Sequence, residues 1–281
     1  MLVFGPVPSR RLGNSLGVNN IPFKHCSYSC VYCQLGRTPK TTVERGEFYE
    51  PKDILDSVRR RIDAVRKEKV DYITFVPDGE PTLDKNLGAE ISMLKDLGRV
   101  AVVTNSSLLF MEDVRLELNL ANLVSLKVDA VDELLWRRVN RPHPALKLED
   151  ILDGISKFAE DYNGTLITET MLIDGLTTLE EVERIAEFLE SVSPDKAYLA
   201  IPTRPPAENV RGAEIDFVLE AGRIFKKHVD VELLIEPEKG EFEIKNKEDI
   251  LAIASVHPIR EDILKSYLKK LGLESKNCSM S

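Results

Sequence analysis

The sequence predicts an α/β protein organised as a partial or full parallel β/α barrel, with a short helical extension at its C-terminal end. Three observations carry this. Apolar β-branched runs recur along the 281 residues, amphipathic helical stretches separate them, and the runs are apolar throughout, as strands covered by helices are. Six or seven such repeats suit a barrel better than a flat doubly wound sheet, although periodicity alone leaves closure open. With 43% hydrophobic and 30% charged residues, the chain can build its own core and is too apolar to be disordered.

The strands are expected at Ser15–Ile21, Tyr72–Val76, Val100–Thr104, Val124–Asp129, Leu166–Ile173, Ala197–Ile201 and Val231–Ile235. Between them, Pro51–Lys67 sets Ile54, Leu55, Val58, Ile62 and Val65 on one helical face, with Pro51 suited to the first turn. A capping box from Thr178 to Glu181 opens a helix over Thr178–Ser191. Further helices are expected at Asp84–Leu97, Glu112–Leu118, Leu148–Tyr162 and Ala213–Lys227. The barrel is assigned to residues 1–236. A polar stretch with Pro237 and Gly240 then leads to an extension over 248–281, where two helices resemble an incomplete winged helix. That pair reads as a packing appendage in preference to a nucleic-acid reader.

Net charge is −9, which offers no global attraction to nucleic acid or to an anionic membrane. No apolar run reaches the roughly 18 residues of a membrane span, and Met1–Gly13 has no secretory layout, so the expected location is the cytoplasm. Cysteine usage agrees. Three of four cysteines, Cys26, Cys30 and Cys33, fall within eight residues, and Cys278 stands far away. Reduced thiols crowded into one loop read as metal ligands. A zinc site normally takes four protein ligands, and His25 is awkwardly adjacent to Cys26 as a fourth. A [4Fe–4S] cluster held by three cysteines would leave one iron open.

Barrel active sites lie at the C-terminal ends of strands. There the chain places Pro77-Asp78-Gly79-Glu80-Pro81, then Thr104-Asn105-Ser106, then Lys127-Val128-Asp129, and finally Ile173-Asp174-Gly175. Lys127 and Asp129 are two apart on a strand and share a face. A lysine turned to the interior needs a carboxylate or a ligand. The pair could equally serve only to organise the core. Arg10, Arg11, Arg137, Arg141 and Arg204 are further cations, each read first as structural, and His143 and His257 precede prolines in loops as non-ligands.

The spacing Cys26-x3-Cys30-x2-Cys33, with Tyr32 before the last cysteine, resembles the radical S-adenosylmethionine (SAM) superfamily. Over Phe4–Thr38, Gly-Pro-Val-Pro-Ser-Arg-Arg-Leu-Gly and Cys-Val-Tyr-Cys-Gln-Leu-Gly resemble an iron–sulfur oxidoreductase branch related to the wybutosine-pathway tRNA-imidazoline synthase. The resemblance implies a TIM-like barrel of the radical SAM type, with a [4Fe–4S] cluster and S-adenosyl-L-methionine as cofactors. Cys26, Cys30 and Cys33 would be both catalytic and metal-binding. Cofactor contacts would come from Tyr32, from Gly79 and Glu80 at the SAM ammonium, and from Asn105 and Asp129 at its ribose or carboxylate. Lys127 would touch SAM or substrate, and Ile173 would lie beside adenine. The family's usual Gly-Gly-Glu is Asp78-Gly79-Glu80 here, a departure at its first position.

Implied partners are SAM and an electron donor of flavodoxin or ferredoxin type. The implied reaction is reductive cleavage of SAM to a 5′-deoxyadenosyl radical that abstracts hydrogen from an RNA, peptide or small-metabolite substrate. Nucleic acid is possible as a partner and not favoured. The related tRNA synthase carries a second cluster on three more cysteines, and with only Cys278 to spare this chain is not expected to share its reaction. The competing reading is a non-catalytic metal-binding protein that binds nucleic acid or regulates.

Overall fold

A computed structural model describes residues 2–65 and 70–235, together with Lys265 and Leu268, both helical. Otherwise the predicted extension, the boundary before it, His257 and Cys278 lie outside the described residues.

Eight strands form one sheet in chain order: β1 (Val3–Ser9), β2 (Gly13–Val18), β3 (Tyr72–Phe75), β4 (Val100–Thr104), β5 (Leu123–Lys127), β6 (Thr165–Met171), β7 (Lys196–Ala200) and β8 (Val231–Leu234). Strands β2 to β8 pair in parallel, and the sheet curls into a half-barrel. The seven expected strands are all present: Val100–Thr104 matches at both ends, and the other six differ by one to three residues at one or both ends. One strand was not expected. Pro6 and Pro8 speak against a strand within a sheet, yet β1 is an antiparallel edge strand on β2, where missing N–H groups are tolerated.

The connecting helices are α1 (Pro51–Val65), α2 (Leu87–Leu94), α3 (Glu112–Leu118), α4 (Glu133–Val139), α5 (Leu148–Asp161), α6 (Leu179–Val192) and α7 (Ile215–Phe225). The predicted apolar face of α1 is the buried one, and the Thr178–Glu181 capping box opens α6. The short α4 has no counterpart among the sequence expectations. Its N-cap is Asp132, whose carboxylate accepts from the N–H groups of Leu134 and Leu135, and it buries Trp136.

The two faces of the sheet carry different interiors. Against the helices, Val18, Phe75, Val102, Val124 and Leu199 join Trp136, Phe158 and Phe225 in one continuous core. A smaller cluster gathers Leu12, Tyr72, Leu123, Ile167, Tyr198 and Leu234 on the opposite, concave face. Strand alternation therefore places Lys127, in register with Leu123, and Glu169, in register with Ile167, inside the half-barrel. Arg10, in the turn between β1 and β2, donates to the Leu234 carbonyl (3.2 Å), so the hairpin reaches the far edge of the sheet.

Candidate active site

The cysteine loop follows β2 and is tied to the chain on several sides. Glu80 N–H donates to the His25 carbonyl (3.0 Å), Val31 N–H to Val139 (2.9 Å), His143 N–H to Ser27 (2.9 Å), and Thr42 N–H to Cys26 (3.0 Å). Inside the loop, buried Tyr28 accepts the Trp136 indole N–H (3.0 Å). Each of the three cysteine sulfurs then receives an N–H group from a different part of the molecule. Asn105 Nδ2 lies 3.6 Å from Cys26 Sγ, Asn140 Nδ2 lies 3.6 Å from Cys30 Sγ, and Lys24 Nζ lies 3.4 Å from Cys33 Sγ. As residues, all three cysteines are partly exposed. Burial of the sulfur atoms pushes the Cys30 thiol up to about 12 and raises that of Cys26 as well. A metal that binds here must displace those protons.

The donor set fits an iron–sulfur cluster. Three sulfurs on one loop, each already aimed at by an N–H donor, match thiolate ligation with hydrogen bonds to sulfur. Among the described residues no three His, Cys, Asp or Glu side chains gather about one point as a single ion would need. A cluster makes no such demand, because its cysteines ligate different irons.

Gly79 allows close approach, but to the cysteine loop. A Cβ there would lie 2.0 Å from the His25 carbonyl oxygen. Glu80 is buried, and its Oε1 accepts from Thr82 N (3.2 Å), Thr82 Oγ1 (2.7 Å) and Thr104 Oγ1 (2.5 Å), while Oε2 accepts from Asn105 N (2.7 Å). It thereby joins the end of β4 to the turn after β3. Burial still outweighs these donors and holds its carboxyl above the usual range. Among the described residues no cation pairs with it. Asn105 also donates to Ser27 Oγ (2.9 Å) and accepts from Ser107 N (2.9 Å), so its side chain bridges two loops.

Within the half-barrel the expected carboxylate partner of Lys127 is present. Lys127 Nζ lies 2.9 Å from Glu169 Oε1 and 3.7 Å from Asp129 Oδ1, and 4.8 Å from the centre of the Tyr32 ring. Burial works against its charge, but Asp129 and Glu169 together raise its pKa. Glu169 also accepts from Arg11, and Asp129 accepts from the Tyr32 hydroxyl, Asn140 Nδ2 (2.7 Å) and Met171 N (2.9 Å). A line of charge thus climbs from the hairpin turn through Arg11, Glu169, Lys127 and Asp129 to Tyr32, next to Cys33. Of these, Glu169 and the role of Asn140 escaped the sequence reading, as did Lys24 as a sulfur donor. Glu169 meets Arg11 across 158 residues and Asn140 meets Cys30 across 110, whereas Lys24 lies nine residues from Cys33, beside a recognisable motif.

Ile173 stands apart from this convergence. Its side chain is fully buried in the helix-side core, and its N–H donates to Thr177 Oγ1 (3.2 Å). Two residues on, Gly175 adopts φ 66° with open space where a Cβ would stand. Arg204, on the exit from β7, donates to Gln34 beside Cys33. Glu208 in the same stretch accepts from Arg141 (2.6 Å) and Arg37 (2.7 Å). Arg137 pairs with Glu133 on the surface of α4 (2.6 Å), and His143 Nδ1 accepts from Ala145 N (3.2 Å).

Comparison with known proteins agrees with this geometry. A UPF0026 protein of Methanocaldococcus jannaschii is 50% identical over 277 residues, covering 96% of this chain and 86% of that one. The SuiB structure from Streptococcus suis aligns with a TM-score of 0.58 at 14% identity, over 80% of this chain and 51% of that one. A structure of TYW1 with a lysine–pyruvate adduct bound aligns with a TM-score of 0.55 at 18% identity, over 76% and 74%. At such identities the structural matches speak to the half-barrel fold. No helix among the described residues is long and apolar enough to cross a membrane. The family model described as the radical SAM superfamily matches residues 20–189, and the chain belongs to that superfamily of enzymes, whose cofactors are a [4Fe–4S] cluster and S-adenosylmethionine.

Proposed function

We propose that Cys26, Cys30 and Cys33 hold the cluster and that the loops after β3 to β6 hold SAM against it. The carrying observation is that three sulfurs on one loop each meet an N–H donor of the surrounding scaffold. When bound, the cofactors supply one-electron cleavage of SAM to methionine and a 5′-deoxyadenosyl radical that removes hydrogen from the substrate. The electron comes from an external donor of flavodoxin or ferredoxin type.

The chain's own part is to bind, orient and exclude water. Glu80 is a buried carboxylate that no cation among the described residues pairs with, and the SAM ammonium is the cation it lacks. Among the described residues its Oε2 accepts a single donor and has a lone pair to spare. Gly79 keeps the Asp78–Glu80 turn pressed on the cysteine loop. Asn105 and Asp129 face SAM's ribose or carboxylate, with Tyr32 fixing the Asp129 carboxylate. Lys127 contacts SAM or substrate from the inner face of the sheet. Ile173, with its side chain committed to the core, approaches adenine through the backbone of the Ile173–Gly175 segment, where Gly175 leaves space. The substrate is an RNA, a peptide or a small metabolite. Residues 1–236 form the radical SAM unit, and 248–281 a separate helical extension that covers it.

Cluster assembly tests the ligand assignment. Anaerobic reconstitution of the protein should give iron and sulfide near four each, and alanine at Cys26, Cys30 or Cys33 should abolish it. Alanine at Cys278 should leave the content intact. Equal loss at Cys278 would mean four protein ligands, no open iron, and no place for SAM.

A further inference from the structure

Lys24 is buried and Lys127 largely so, and their surroundings differ in one respect. Lys127 has two carboxylates within 4.0 Å, whereas among the described residues Lys24 has none. The Lys24 ammonium instead donates to the Gly36 carbonyl and to Cys33 Sγ at 3.4 Å. The nearby carboxylate of Asp78 accepts from Asn19 Nδ2 (3.0 Å). The Asp78 carboxylate feels the Lys24 charge without contacting it, and the Cys33 sulfur is the ligand atom placed within reach of the ammonium. The backbone is set for this contact. Lys24 sits at φ 61°, a region that residues other than glycine rarely occupy, and its N–H donates to the Asp78 carbonyl (2.7 Å). Cys26 and Cys30, by contrast, receive neutral amides.

We infer that Lys24 is a positioning and tuning residue of the cluster: its ammonium balances negative charge at the Cys33 corner and makes the cluster easier to reduce. The inference rests on the proposed ligation by Cys26, Cys30 and Cys33. On reduction, one electron enters from the external donor and no bond forms or breaks. The added negative charge is stabilised by a nearby cation, and net charge and hydrogen bonds to sulfur are what set such potentials.

The test is a dye-mediated dithionite titration of the reconstituted full chain without SAM, followed by electron paramagnetic resonance, for wild type, Lys24→Met and Lys24→Arg. Lys24→Met should keep its iron and sulfide yet shift the one-electron reduction equilibrium at least about tenfold against reduction. That is a midpoint about 59 mV more negative. Lys24→Arg, which keeps the charge, should stay close to wild type. A fully loaded Lys24→Met protein at the wild-type potential overturns the inference and leaves the ligand assignment standing. So does a Lys24→Arg protein that shifts as far as Lys24→Met. If Lys24→Met takes up no cluster, uptake by Lys24→Arg supports the charge role, and loss in both assigns Lys24 to loop conformation alone. A wild-type protein that takes up no cluster ends both readings together.

Discussion

Glu169 and Glu90 are both buried carboxylates, one inside the half-barrel and one on helix α2, and their surroundings hold them in opposite states. Burial alone would raise both. Around Glu169, the cations of Arg11 and Lys127 overcome burial and lower its pKa to about 2. Around Glu90, burial and neighbouring Asp84 raise it to about 9. Among the described residues Asn20 Nδ2, at 3.2 Å, is the one hydrogen-bond partner of its carboxyl, and Oε1 has none. At neutral pH the first is an anion in a charge network, and the second is a carboxylic acid in a helix-packing layer. Polar burial inside the sheet therefore serves the site, whereas behind α2 it is neutralised by a proton. Glu80 lies between them, rich in hydrogen bonds and, among the described residues, without a cation.

Changing Glu169 to Gln should break this comparison most severely. It leaves Arg11 and Lys127 facing each other with only Asp129 for compensation, and losing one partner of a buried ion pair costs about 3–5 kcal/mol. Urea midpoints at pH 7 measure this, and an unchanged midpoint would mean the network is solvated. The stability gained from ionised Glu169 is complete above its unfolded value of 4.5 and is lost as pH falls through about 2. The gap between wild type and Glu169→Gln should close over that range.

Glu80→Gln removes the charge that awaits an ammonium. A hydrogen bond to a charged group contributes roughly 1.5–3 kcal/mol, so SAM affinity should fall on the order of ten- to a hundredfold with cluster content retained. Calorimetry reads it, and unchanged affinity would confine Glu80 to joining β4 to its turn. The smallest effect belongs to Glu90→Gln, which mimics a carboxyl already protonated. At pH 4, where Glu90 is protonated in the folded and unfolded chain alike, the stability change should stay within about 1 kcal/mol. The contribution of protonated Glu90 is whole below 4.5 and fades as pH rises through about 9, so the wild type should lose stability on alkalinisation relative to Glu90→Gln. Parallel pH profiles for the two proteins would show Glu90 ionised from the start.

How far the sequence could be read follows the same division between local and distant partners. The parallel strands and most helices were legible because their signals are local: β-branched runs, a helical face on α1, a capping box on α6. Strand β1 was hidden by Pro6 and Pro8, which an antiparallel edge accommodates. The three cysteines announced themselves by spacing. Glu169 could not, since what brings it to Lys127 and Arg11 is register: β6 sets it beside Lys127, 42 residues earlier, and Arg11 reaches it across 158. Asn140 likewise meets Asp129 and Cys30 only after α4 turns the chain back. Gly79 and Glu80 were legible as a motif, but their contacts with His25, Thr104 and Asn105 were not.

The central claim is that this scaffold delivers an electron to SAM at an iron held by Cys26, Cys30 and Cys33. The most direct measurement is anaerobic incubation of the reconstituted, dithionite-reduced protein with SAM, with 5′-deoxyadenosine followed by liquid chromatography. The wild type should form 5′-deoxyadenosine and methionine without any added substrate, and the Cys→Ala proteins should form none. A wild-type protein with a full, reducible cluster and bound SAM that yields no 5′-deoxyadenosine would contradict the account.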